Sequence, residues 1–255
     1  MAVEDFFKLT DVEWRKKFES DKGLFVAEGA KVISRAWELG YAVREAVTTQ
    51  RWLDSLPPQL LGGAEVHILS EDELEDITGF HVHRGALASF ERRENVSPDS
   101  LLADARTVVV LDGLVDHENV GAIFRSAAGL GADCVLLTED CADPLYRRSI
   151  KTSMGASLSL PFARVSRSLD AVDVLRAHSI QTIALSLQAS DELSADMFSS
   201  PARRAFFFGS EGHGLSEDVA SACDVRLKIP MHRATDSLNV AQAAAIVLWA
   251  ATASL

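Results

Sequence analysis

Three stretches of the chain carry residues whose types and spacing could do chemistry. Asn119-Val120-Gly121-Ala122-Ile123-Phe124-Arg125-Ser126 puts a carboxamide and a guanidinium on one apolar segment. Gly209-Ser210-Glu211-Gly212-His213-Gly214-Leu215-Ser216 is a glycine-rich loop holding a carboxylate. Ile229-Pro230-Met231 is followed shortly by Ser237-Leu238-Asn239-Val240. Asparagine offers both a donor and an acceptor, and arginine is a planar fork of donors suited to phosphate or carboxylate. The flanks of Arg125 are apolar, so its guanidinium is expected to be half-buried against an anion. Gly209, Gly212 and Gly214 permit tight turns and close approach of backbone to a ligand. Ser216 and Ser237 are natural helix N-caps.

These stretches must be positioned by something, and the second half of the chain supplies a regular alternation. Candidate strands at Val108–Leu111, Cys134–Thr138, Thr182–Leu187, Ala205–Phe208 and Val225–Ile229 are mostly short apolar runs, as expected for strands covered on both faces, with helical segments between them. A final alanine-rich helix is expected from about Leu238 to Ala251. Alternation of this kind implies a layered α/β domain with a parallel sheet, in which ligands sit beyond the C-terminal ends of the strands. All three stretches fall at such ends.

The first half reads as a smaller α/β unit. A helix is expected over 5–20, with Phe6, Phe7, Leu9, Trp14 and Phe18 on its apolar face, then a strand at Leu24-Phe25-Val26 and a helix from Glu28 to Leu39 stopped by Gly40. Strands follow at Val43–Thr48, Glu65–Leu69 and Ala86–Phe90, with a capping box at Ser70-Glu71-Asp72-Glu73. Residues 1–95 are therefore assigned to one domain, 96–105 to a polar linker containing Pro98, and 106–255 to a second domain.

Bulk properties exclude several classes. The formal net charge is −12, which argues against broad polyanion binding. The charge is uneven, however: Pro144 to Leu169 contains five basic residues (Arg147, Arg148, Lys151, Arg164, Arg167) and no acidic one. A second basic cluster surrounds His81, His83, Arg84, Arg92 and Arg93, and two such islands suggest a local anion site. No apolar run reaches the ~18 residues of a membrane-spanning helix, and the acidic N-terminus lacks a signal pattern. Three cysteines with no Cys-x-x-Cys pair argue against a disulfide framework or zinc site and suggest a reducing, cytoplasmic setting, with no metal.

The glycine loop is not Gly-x-Gly-x-x-Gly, so a dinucleotide-binding oxidoreductase is disfavoured; Phe208 replaces the glycine that a hydrolase elbow around Ser210 requires. The three stretches together instead resemble the three motifs of SPOUT methyltransferases, specifically the SpoU/TrmH-type RNA ribose 2′-O-methyltransferases, over residues 108–252. Phe25-Val26-Ala27-Glu28-Gly29 and His83-Arg84-Gly85-Ala86-Leu87-Ala88 are similar to the small ribosomal-protein-like RNA-recognition domain that often precedes that fold. The resemblance implies a C-terminal parallel-sheet domain tied in a deep trefoil knot, a homodimer, and S-adenosylmethionine as cofactor. It implies cofactor contacts from Leu185, Gly209, Ile229, Met231 and Leu238, and catalytic positions at Asn119, Arg125, Glu211, Ser237 and Asn239. The substrate implied is a ribose 2′-hydroxyl in tRNA or rRNA, held partly by Arg84, Arg147, Arg148 and Lys151. His117 and Ala241 stand where many relatives have proline and serine. The alternative reading is a non-catalytic RNA-binding or ribosome-assembly protein that kept the knot, against which the intact motif residues argue.

Overall fold

The computed structural model describes residues 3–7, 9, 22–82, 85–198, 202–233 and 235–252. Its contacts divide the chain into two compact units, the first made of residues 1–94 with 145–158, the second of 95–144 with 159–255.

In the first unit, strands β1 (Leu24–Glu28), β2 (Val43–Thr48), β3 (Glu65–Ile68) and β4 (Ala86–Glu91) form a sheet in the order β1-β4-β2-β3, with only β2 and β3 parallel. The run Leu24-Phe25-Val26-Ala27-Glu28 is buried at every position. Phe25 stacks on Phe90 at 5.4 Å and meets Tyr41 edge-on at 5.1 Å. Helices α1 (Ala30–Glu38), α2 (Pro58–Gly63) and α3 (Glu71–Thr78) complete the unit. The expected capping box forms, with Ser70 accepting from the Glu73 N–H and the Glu73 carboxylate accepting from the Ser70 N–H. Of residues 5–20, expected as a helix, 5–7 and 9 are described, and there the chain makes a 3-10 turn at Glu4–Phe6 and turns extended at Phe7; Trp14 and Phe18 lie outside the described residues, as do His83 and Arg84.

The second unit carries α4 (Pro98–Leu102), β5 (Thr107–Asp112), α5 (His117–Gly129), β6 (Cys134–Thr138), β7 (Phe162–Val165), α7 (Ser168–Ala177), β8 (Gln181–Leu185), β9 (Asp191–Glu192), β10 (Arg204–Gly209), α8 (Glu217–Ala222), β11 (Val225–Lys228) and α9 (Val240–Thr252); α6 (Arg147–Thr152) belongs to the first unit. The seven strands lie in the order β7-β6-β5-β10-β8-β11-β9, and every pairing is parallel. The period-2 alternation of a strand divides each run between two cores. Val109, Leu111, Phe206 and Phe208 pack under α5 and α9, whereas Val108, Val110, Ala205 and Phe207 pack under α4, α7 and α8. That double burial is why these strands are uninterrupted apolar runs. After β10 the chain passes to the far side of β8 to form β11, then returns as α9 to pack on α5, a path consistent with the implied knot.

Two strands escape the sequence pattern: β7 is a four-residue edge strand interrupted by exposed Arg164, and β9 is two exposed acidic residues. The expected linker 96–105 is also different. It contains α4, capped by Ser97, whose Leu102 is fully buried in the second core.

The grouping of 145–158 with the first unit has an electrostatic cause. Glu28, at the end of β1, is almost wholly buried and pairs with Arg147 at 2.5 Å and Lys151 at 2.6 Å. Arg147 is itself buried and lies over the Phe80 ring at 4.3 Å. Tyr41 Oη donates to the Leu158 carbonyl at 2.9 Å and Arg35 to that of Met154 at 2.6 Å. Arg147 and Lys151, expected to contact RNA, are thus engaged by a buried carboxylate, whereas Arg148 beside them is exposed.

Among the described residues no helix is long and apolar enough to cross a membrane. The three cysteines are free and buried; burial pushes the Cys134 thiol up to about 12 and that of Cys223 to about 11. Removing one partner from a buried ion pair strands the other charge, so Glu28→Gln is expected to cost about 3–5 kcal/mol of stability. Denaturant unfolding of the full chain checks this; an unchanged midpoint would show that Glu28 holds nothing in place.

Candidate active site

The C-terminal ends of β8, β10 and β11 and the start of α9 enclose a cavity of about 500 Å³. This lies within the range of roughly 300–1,000 Å³ found for small-molecule sites. Leu185, Gly209, Ile229, Met231 and Leu238, scattered over more than fifty residues of sequence, all line it. So do Ser186, Leu187 and Gln188, which lie outside the three stretches; a leucine at a strand end looks the same whether it faces a core or a cavity.

The cavity walls mix apolar side chains such as Leu185, Phe208, Ile229, Met231 and Leu238 with polar ones such as Gln188, Glu211 and Asn239, and backbone groups add to the polar set. The N–H and C=O groups of Ile229 and Leu238, which lie outside helices and strands, have no hydrogen-bond partner among the described residues. Unspent backbone donors and acceptors between apolar side chains suit a flat heteroaromatic ring with polar edges.

The loop after β10 is held by the Gly214 N–H donating to the Ser210 carbonyl at 2.8 Å, and Ser216 caps α8 as expected, accepting from the Val219 N–H. At Gly209 the strand end crosses close to the backbone of its own loop. A Cβ built there would lie 2.2 Å from the Gly214 carbonyl carbon and 2.3 Å from the Leu215 nitrogen, both backbone atoms. Glycine is the one residue that fits this crossing.

Beside the cavity a polar chain joins all three stretches. Asn119, in the first turn of α5, accepts from Asn239 Nδ2 through its Oδ1 at 2.9 Å and donates through Nδ2 to Glu211 Oε1. Asn239 in turn accepts from the Ala241 N–H at 2.9 Å, so it caps α9. The N-cap expected at Ser237 is therefore corrected to Asn239: the helix begins later, at Val240, and Ser237 stays in the exposed loop that lines the cavity.

Arg125 is not part of this chain. It is exposed rather than half-buried, and it makes no hydrogen bond or ion pair among the described residues. The apolar residues on either side of it in sequence face the core: Phe124, Ile123 and Ala127 are fully buried, and the helical turn points Arg125 away from them. Asp112, at the end of β5 and in register with Gly209, is half-buried; burial pushes its carboxyl up, and nearby Asp140 adds to this.

Residues 106–249 match the model of the SpoU rRNA Methylase family. The chain belongs to that family. A protein described as an uncharacterized tRNA/rRNA methyltransferase of Mycobacterium bovis is 38% identical to this SpoU methylase over 255 residues, covering 99% of this chain and 88% of the relative. RlmP of Bacillus subtilis, a 23S rRNA (guanosine(2553)-2′-O)-methyltransferase, is 28% identical over 250 residues, with 97% and 94% covered. The AdoMet-bound rRNA methyltransferase from Sinorhizobium meliloti superposes with a TM-score of 0.84 at 26% identity, covering 99% of this chain and 94% of that one. The cavity described above fits such a cofactor on its own chemistry, through its size, its mixed apolar and polar lining and its free backbone groups.

In this SpoU methylase the Gly209 crossing shapes one side of the cavity. Gly209→Ala is expected to lose about 1–3 kcal/mol through overpacking against backbone that cannot yield. Chemical denaturation reads the loss; a variant as stable as the parent would mean that the crossing relaxes freely.

Proposed function

We propose that this chain transfers a methyl group from S-adenosylmethionine to a ribose 2′-hydroxyl of tRNA or rRNA. The observation that carries the reading is the joining of Asn119, Glu211 and Asn239 beside a cavity lined by Gly209, Ile229 and Leu238. Ile229 and Leu238 would hold the cofactor by backbone, and Leu185 and Met231 by apolar contact. When bound, the cofactor supplies an electrophilic methyl; the ribose oxygen forms the new O–C bond as the C–S bond breaks toward sulfur, and the hydroxyl proton passes to solvent.

The chain's own contribution is alignment at near-attack distance and stabilisation of charge on the ribose oxygen. Arg125 is exposed and unengaged among the described residues, so its fork is open to the target phosphate or the developing alkoxide. Guanidinium stays protonated in proteins, which favours a clamp over a base. Asn119, Glu211, Ser237 and Asn239 would orient the ribose.

RNA contact is assigned to local basic residues, Arg148 with Arg84 and Arg125, because the net charge of −12 leaves no broad basic face. It should weaken steeply with salt. A homodimer through α9 is part of the reading: Ile246 and Trp249, neighbours on one helical face, are 39% and 59% exposed. A tRNA or rRNA substrate supports a cytoplasmic location as part of the same proposal.

Arg125→Ala is expected to leave cofactor affinity nearly unchanged in calorimetry while cutting ribose methylation by roughly two orders of magnitude. Loss of cofactor binding together with activity would contradict the assigned division of labour.

A further inference from the structure

Asn119 has an oxygen that can only accept and a nitrogen that can only donate. Its oxygen is taken by Asn239. Its nitrogen faces two carboxylates, Glu211 Oε1 and Asp116 Oδ2, the latter at 3.5 Å. Asp116 is the N-cap of α5, but that task occupies only Oδ1, which accepts from the Glu118 N–H at 2.7 Å. Serine would cap as well. The second carboxylate oxygen serves Asn119 instead.

This arrangement fixes the direction of the whole polar chain. If the Asn119 amide flipped, its oxygen would confront two carboxylates and its NH2 would confront the NH2 of Asn239. With the amide locked, Asn239 must present its nitrogen to Asn119, which leaves its oxygen for the Ala241 N–H at the start of α9. One orientation satisfies every partner, and Asp116 and Glu211 together select it.

We infer that Asp116 is a positioning residue for methyl transfer. It acts through Asn119 to hold Glu211 and Asn239 in place at the cavity, and it touches neither cofactor nor substrate. The inference rests on the methyl-transfer reading above for its consequence in catalysis, and on the hydrogen bonds alone for the clamp itself.

Two substitutions separate this role from capping. Asp116→Ser keeps a capping oxygen and removes the second acceptor. Asp116→Asn keeps a capping oxygen and turns an NH2 toward the NH2 of Asn119. The measurements are RNA methylation at saturating cofactor, the melting temperature, cofactor affinity by calorimetry, and the side-chain amide signals of Asn119 by NMR on the full chain, assigned by their loss in Asn119→Ala. The expected result is a kcat lowered roughly tenfold by Asp116→Ser and further by Asp116→Asn. Tm and cofactor Kd are expected to stay unchanged, with the Asn119 amide signals displaced in both variants. Parent kcat with unmoved amide signals would overturn the inference, as would a kcat loss that merely follows a fall in Tm. Should the parent chain transfer no methyl to RNA, the methyl-transfer reading fails on its own, and the Asn119 signals still decide whether Asp116 clamps that amide.

Discussion

One side-chain amide holds the site together. The three stretches that carry the chemistry lie on α5, the loop after β10 and the entry to α9, and the Asn119 carboxamide is where they meet. An amide can do this because it donates and accepts from opposite ends, so it links a carboxylate to a second amide in a defined direction. A charged residue at 119 would repel one neighbour, and an apolar one would leave Glu211 and Asn239 unconnected.

The fold makes that meeting possible. Parallel strands end on the same side of the sheet, and burial on both faces leaves their C-terminal loops as the natural place for polar groups. The loop after β10 folds back on its own strand end, and Gly209 is where that turn brings backbone against backbone. The need for glycine there comes from the turn that forms one wall of the cavity.

Much of this was legible in the residues. The apolar runs of β5, β6, β8 and β10 stand out because a doubly buried strand admits few polar interruptions, whereas β11 alternates Val225 and Leu227 with Arg226 and Lys228; the glycine loop, the asparagines and the cavity-lining residues sit at the ends of such strands. Short edge strands gave no such signal: β7 carries an exposed arginine and β9 is acidic. Local composition misled at Arg125, where buried neighbours in sequence sit on the other face of the helix. It misled again at Arg147 and Lys151, whose positive charge is answered by Glu28, more than a hundred residues earlier. Pairing at that distance has no sequence signature, which is also why 145–158 could not be assigned to the first unit by reading along the chain. Ser237 and Asn239 are both good caps, and only the onset of α9 at Val240 decides between them.

On this geometry the methyl donor lies in the cavity next to the Asn119 amide. A crystal structure of the chain with S-adenosylmethionine tests it most directly. The expected result is the cofactor enclosed by Gly209, Ile229 and Leu238, with its methyl directed to the side where Glu211, Asn119 and Asn239 join. Cofactor bound elsewhere on the chain, or in this cavity with its methyl turned away from those residues, would rule that placement out.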